Sequence, residues 1–196
     1  KCNYVGVSGT NVARDFVELP SQVMEHWATE PEVLKMYAKN YKTGETMPDS
    51  LIQKLNKQML FNQGFMTTEL LAAAILDMEL HNLKDAKGLD IIDFEKKTMD
   101  KIGLIPEIAP RYRCTYFNHI IGEYAAGYYS YLWANVLDSD AFEAFKEHGL
   151  FDKATATAFR TNVLEKGGSE EPMELYKRFR GAEPKLEPML KDRGLQ

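Results

Sequence analysis

Apolar residues along this chain recur mainly at three- and four-residue intervals, the period of an amphipathic helix. Residues 49–62 place Leu51, Leu55, Gln58 or Met59, and Asn62 on or near one stripe, with Ile52 and Met59 widening it. Asp49, directly after Pro48, is the expected N-cap. Residues 66–80 predict a second helix, with Thr67 or Thr68 as its cap and Gly64 separating it from the first. Its small residues Ala72, Ala73 and Ala74 allow close approach of a neighbour. Residues 90–102 predict a third, capped by Asp90 and closed by Gly103, and Pro106 and Pro110 then mark a loop. A long helical region is expected over 123–148, broken near 138–140, followed by shorter helices over 152–165, 172–179 and 184–192. Only 4–7 and 113–116 read as extended pieces, and 39–48 reads as a polar, exposed loop. No repeat and no Gly/Ser-rich linker divides the chain, so the expectation is one mainly α domain over residues 1–196.

Composition narrows the class of function. Acidic side chains outnumber basic ones by 29 to 24, a net charge of -5, against the clustered cations that nucleic-acid backbones require. Two cysteines, Cys2 and Cys114, make neither a disulfide framework nor a C-x-x-C zinc site. The most apolar run, 70–80, is short and contains Asp77 and Glu79, so no membrane span is expected. The chain opens on Lys-Cys-Asn-Tyr rather than Met, which suggests the inside of a longer protein. The expected compartment is the cytoplasm, with the periplasm as the alternative.

Standard catalytic motifs are missing. His26, His81, His119 and His148 do not pair at i, i+4, and there is neither a G-x-S-x-G elbow nor a phosphate-binding glycine loop. Two segments carry candidate chemistry. In 8–22, SGTNVARDFVELPSQ, a Gly-containing turn leads to Asp15, Glu18 and Gln22 at helical spacing, flanked by Arg14 and Glu25. A carboxylate held this way binds a metal or orients a ligand, or is simply part of a solvated face. In 116–133, YFNHIIGEYAAGYYSYLW, Tyr124, Tyr128 and Tyr131 stand at i, i+4 and i+7. On a helix turning about 100° per residue they would share one face. His119 precedes them across Gly122. Three phenols and an imidazole at a cleft would donate hydrogen bonds to a peptide carbonyl, whereas in a core they would be a packing stripe.

Taken together, SGTNVARDFVELPSQVMEHW and HIIGEYAAGYYSYLWANVL resemble the thimet oligopeptidase and bacterial peptidyl-dipeptidase family of zinc metallopeptidases. The resemblance continues through DAFEAFKEHGLFD, FRTNVLEKGGSEEPMELYKRFRG and AEPKLEPMLKDRGL, so it covers essentially the whole chain. The tail is more similar to the peptidyl-dipeptidase branch. The resemblance implies a mainly α fold, the helical C-terminal part of the catalytic domain of a zincin-type metallopeptidase that hydrolyses short peptides. It implies that Glu18 is the third zinc ligand, the other two being the histidines of an H-E-x-x-H helix upstream, which this chain does not contain. His119 and Tyr131 match the residues that bind substrate and the tetrahedral oxyanion, and Tyr124, Tyr128 and Gly122 match their substrate-binding neighbours. The intact enzyme would use zinc. This chain alone would hold none tightly and would be inactive, its partners being short peptides and the missing N-terminal portion of the same enzyme.

One departure stands out. Where the family usually carries Gly-Gly before the first tyrosine, this chain has Gly122-Glu123, which stiffens the loop and adds a carboxylate. The rival class of function is a non-catalytic helical interaction module derived from the same family.

Overall fold

The computed structural model describes residues 2–195. The described residues are mainly helical, as the periodicity predicts. The helices are α1 (Leu19–Thr29), α2 (Pro31–Tyr37), α3 (Asp49–Met59), α4 (Gln63–His81), α5 (Ile91–Lys101), α6 (Ser130–His148), α7 (Lys153–Phe159), α8 (Pro172–Arg180) and α9 (Glu187–Asp192). Among the described residues the only β pairing is an isolated antiparallel bridge, Lys39 to Thr46, within the polar loop. Among the described residues no single helix is long and apolar enough to cross a membrane.

Local chemistry explains several boundaries. Asp90 caps α5 as expected, its Oδ1 accepting from the N–H groups of Ile92 and Asp93 at 3.0 Å each. Asp152 does the same for α7, accepting from the Thr155 N–H at 2.7 Å. Other expectations are corrected. Pro48, not Asp49, occupies the cap position of α3, and Asp49 instead pairs with Lys35 at 2.7 Å. Gly64 lies inside α4, which starts three residues before the expected helix and ahead of both Thr67 and Thr68. Asn62, in the left-handed region at φ 57°, breaks the chain there instead. The segments expected to be extended are single 3-10 turns, Val5–Val7 and Cys114–Tyr116, because neither has a strand to pair with. No break occurs at 138–140, where α6 is continuous. Residues 122–129 form successive turns, so α6 begins at Ser130.

The chain divides into two compact units, one made of 1–61 and 134–196, the other of 62–133. The core of the first joins Phe16, Leu19 and Val23 to Leu137, Ala141, Phe142 and Phe145 of α6, and to Phe159, Val163, Leu175 and Tyr176. Trp27 meets Phe142 and Phe145 edge-on at 4.7 Å, and its indole N–H donates to the Leu150 carbonyl at 3.0 Å. In the second unit, Ala73 and Ala74 of α4 pack against Phe117, Ile120 and Tyr128. On another side of α4, Ala72 and Leu76 pack against Met99.

A close approach fixes the segment that leads to Glu18. The Gly168 N–H donates to the Val7 carbonyl at 2.9 Å. A Cβ on Gly168 would lie 2.1 Å from the Asn11 carbonyl oxygen, and one on Gly167 would lie 1.9 Å from that of Val7. Backbone of the 7–12 segment therefore occupies the space a side chain would need. Gly168→Ala forces that segment outward at a cost of about 1–3 kcal/mol. Thermal denaturation of the variant should show a melting temperature lower by at least about 2 °C. An unchanged melting temperature would mean the segment yields freely.

Candidate active site

Glu18 lies in the first unit. It occupies the N-cap position of α1, after the 3-10 turn Arg14–Phe16, with Pro20 in the first helical turn. Phe16 and Leu19 are buried on either side and anchor the turn. Glu18 itself is half-buried. The Ser21 hydroxyl lies 3.0 Å from both its Oε2 and its carbonyl oxygen, its proton shared between them. The expected helical register of Asp15, Glu18 and Gln22 is thus interrupted, with only Gln22 inside α1. Among the described residues, no three His, Cys, Asp or Glu side chains come together to hold a metal ion. A single carboxylate does not fit zinc, which takes three or four protein ligands.

One turn further along α1, a polar network forms that was not legible in the sequence. His26 Nε2 lies 2.6 Å from Oδ1 of the buried Asp138, and the imidazole stacks on Phe142 at 4.6 Å. Asn135 donates to the same carboxylate, and Arg193 donates to Asn135 Oδ1 from Nε at 3.2 Å and Nη2 at 2.7 Å. Burial pushes the Asp138 carboxyl above its usual range, against the opposing bonds from His26, Asn135 and Ser139. Burial likewise lowers Arg193. Gln22, Glu25, His26, Asn135, Asp138 and Met59 line a cavity of about 410 Å³.

The remaining sequence-derived residues lie in the second unit and come together there. Tyr124 and Tyr131 stack nearly parallel, 5.2 Å apart and 11° between planes, and Tyr128 meets Tyr131 edge-on at 5.1 Å. His119 reaches all three, at 6.1 Å from Tyr124, 5.3 Å from Tyr128 and 6.1 Å from Tyr131. The cluster is not the helical stripe that the spacing predicts. Tyr124 and Tyr128 sit on the turns of 122–129, and only Tyr131 is on α6. Gly122 ends the 3-10 turn Asn118–Ile121 in open surroundings, where a Cβ would meet nothing within 4 Å. Its small size is therefore not required by packing in this structure.

The three phenols differ in environment. Tyr128 is 3% exposed and belongs to the core, so the packing reading describes its ring. Tyr124 and Tyr131 are half-buried. His119 Nδ1 is buried with no hydrogen-bond partner among the described residues, a cost of about 1–3 kcal/mol that a purely structural histidine would avoid. Tyr112, missed in the sequence, completes the cluster. It lies 4.7 Å from His119 and stacks on Phe117 at 5.2 Å. Its only sequence signal was its place in the aromatic-rich run 112–117.

Burial pushes the Tyr128 phenol up from 10.0 to about 12, partly opposed by the Arg111 charge. A phenol kept neutral in the fold contributes stability that is complete below the unfolded value and lost as pH rises through the folded one. Stability should therefore decline between pH 10 and about 12. Urea titrations at stepped pH should show Tyr128→Phe losing this part of the alkaline decline. An identical decline in the variant would assign it to other groups.

Comparison with known proteins gives the family of the chain. A model of peptidase family M3 matches residues 1–195. The chain is 47% identical over 195 residues to the dipeptidyl carboxypeptidase of Escherichia coli (strain K12), covering 98% of this chain and 29% of that protein. It is 41% identical over 194 residues to oligopeptidase A of the same organism, covering 97% of this chain and 28% of that one. Saccharolysin of Saccharomyces cerevisiae is 35% identical over 190 residues, covering 95% and 26%. The chain thus spans less than a third of the length of these relatives, and the identities follow the expected order, higher toward the dipeptidyl carboxypeptidase. A family match running through nearly all 196 residues settles the lineage that the two sequence segments pointed to, and the chain belongs to peptidase family M3.

Proposed function

We propose that this chain is the part of a zinc metallopeptidase that supplies one metal ligand and the hydrogen-bond donors around the scissile carbonyl of a short peptide. The observation that carries the reading is the convergence of His119, Tyr124 and Tyr131 into one half-exposed cluster, in a chain of a zinc-dependent family. In this reading Glu18 is the ligand, and the further ligands and the catalytic base belong to residues outside this chain. The chain's coverage of 29% of the dipeptidyl carboxypeptidase supports that division.

The work of this chain's own residues follows from their chemistry. Tyr131 donates its phenolic proton in a hydrogen bond to the substrate carbonyl oxygen, and His119 donates from its imidazole. Both bonds strengthen as negative charge develops there, which is what makes them catalytic rather than merely binding. Tyr124, stacked flat on Tyr131, fixes the ring that carries the donor, and Gly122 leaves backbone room beside it for a peptide. Tyr128 contributes to substrate binding through the shape it gives the cluster. Glu18 carries a metal-ligand role and no proton transfer. Peptides cut as by dipeptidyl carboxypeptidases are the favoured substrates, given the identity to that branch.

The test is made on the complete enzyme. Tyr131→Phe removes one hydroxyl and should lower kcat at least about tenfold, roughly 1.4 kcal/mol of transition-state stabilisation, with the melting temperature nearly unchanged. A large loss of melting temperature with kcat intact would identify Tyr131 as packing only. Glu18→Ala should lower zinc content measured after dialysis, and the chain alone should retain no stoichiometric zinc after chelator washing. A complete protein with no peptidase activity would favour the interaction-module reading instead.

A further inference from the structure

We infer that Asp77 is a positioning residue for the tyrosine cluster, a role that rests on the catalytic reading of Tyr131 above. Asp77 lies in α4 and is fully buried. Oδ1 accepts the backbone N–H of Ala126 at 2.9 Å, and Oδ2 accepts that of Tyr128 at 2.9 Å. His81, one helical turn along, brings Nδ1 to 2.9 Å from Oδ1 and to 2.9 Å from the Asp77 carbonyl oxygen. One buried carboxylate thus holds two amides of the turn that carries Tyr124 and Tyr128 and leads directly into Tyr131.

The turn needs such a clamp. Ala126 sits at φ 52°, in the left-handed region that a residue with a Cβ rarely adopts. Local bonds close the turn on either side. The Gly127 N–H donates to the Tyr124 carbonyl at 2.9 Å, and the Ser130 N–H to that of Gly127 at 3.1 Å. Those bonds are local, each spanning three residues, and neither reaches α4. The two amide bonds to Asp77 tie the turn around the strained residue to α4. The carboxylate geometry suits the task, because two oxygens accept from two amides two residues apart. An asparagine in its place offers one oxygen and turns an N–H₂ donor toward the other amide. The tyrosine rings, not Asp77, touch substrate, so Asp77 acts through them. A displacement of a reacting group by about 1 Å can cost on the order of a hundredfold in rate.

The complete enzyme carrying Asp77→Asn should show kcat lower by roughly 10- to 100-fold with KM changed less than about threefold. In the Tyr131→Phe background the same substitution should cost less than about threefold further, since the donor it positions is gone. Glycine tolerates the left-handed region, so adding Ala126→Gly to Asp77→Asn should restore kcat at least about threefold. Hydrogen exchange should quicken in Asp77→Asn at the amides of 126 and 128, a readout independent of catalysis. Where Asp77→Asn does not fold, His81→Ala decides. It loosens the carboxylate from its half-exposed side and should lower kcat by about threefold or more. Wild-type kcat in folded Asp77→Asn or in His81→Ala, or full additivity with Tyr131→Phe, overturns the inference while leaving the catalytic reading intact. Wild-type kcat in Tyr131→Phe alone overturns the catalytic reading, and the exchange data then still report whether Asp77 holds the turn.

Discussion

A backbone segment that leaves regular structure inside a packed unit must find partners for its N–H groups, and here buried carboxylates on helices provide them. Asp77 of α4 accepts from Ala126 and Tyr128. Glu95 of α5, 2% exposed, does the same for the 3-10 turn Cys114–Tyr116, accepting the Cys114 N–H at 2.8 Å and a bond from Arg113. The half-buried Cys114 thiol is pushed up to about 12 by desolvation and by the neighbouring Glu95 carboxylate, which keeps it protonated. Helices α4 and α5 therefore act as scaffolds whose charged residues point at loops. Charged bonds to backbone amides are stronger than neutral ones, which suits them to hold a residue such as Ala126 in a conformation it disfavours.

The first unit uses the same device around α6. Asp138, Ser139 and Asp140 are all buried in the middle of that helix, where the sequence predicts a break. Each carboxylate has partners instead. Asp138 bonds His26 and Asn135, while Asp140 Oδ2 accepts the Tyr176 hydroxyl at 2.6 Å. Arg180 adds a bond to the Asp140 carbonyl at 3.0 Å and a fork to Glu147 at 2.8 and 3.1 Å. Burial and the Asp140 bond together push the Tyr176 phenol well above its ordinary value. These bonds tie α1 and α8 to α6 at defined heights, which nonspecific aromatic packing among Phe142, Phe145 and Phe159 would not do. Glu18, at the start of α1, inherits its position from that docking.

In the proposed function, the residues divide into holders and actors. Glu18, His119, Tyr124 and Tyr131 were legible in the sequence because they sit in two long segments with a family pattern. Asp77 entered the sequence reading only as a charge interrupting an apolar run. That interruption was itself a signal. An aspartate amid LLAAAILDMEL, on a helix otherwise meant for burial, has to be neutralised or bonded, and its partner is worth seeking. His26 next to Trp27 in α1 carried no comparable sign.

The sequence by itself determined that the chain is helical, where α3, α5 and α8 lie, and that Asp90 caps α5, because apolar period and capping chemistry act over a few residues. It determined the family too, since long ordered motifs survive in it. Only the tertiary structure decided that residues 122–129 leave the helix that their composition favours and that α6 starts at Ser130. It decided equally that residues 138–140 stay helical and that the tyrosines meet through a turn rather than along a stripe. The physical reason is the same in each case. The bonds that outweigh local propensity come from residues far along the chain, Asp77 lying 49 and 51 positions from the amides it holds and His26 lying 112 from Asp138.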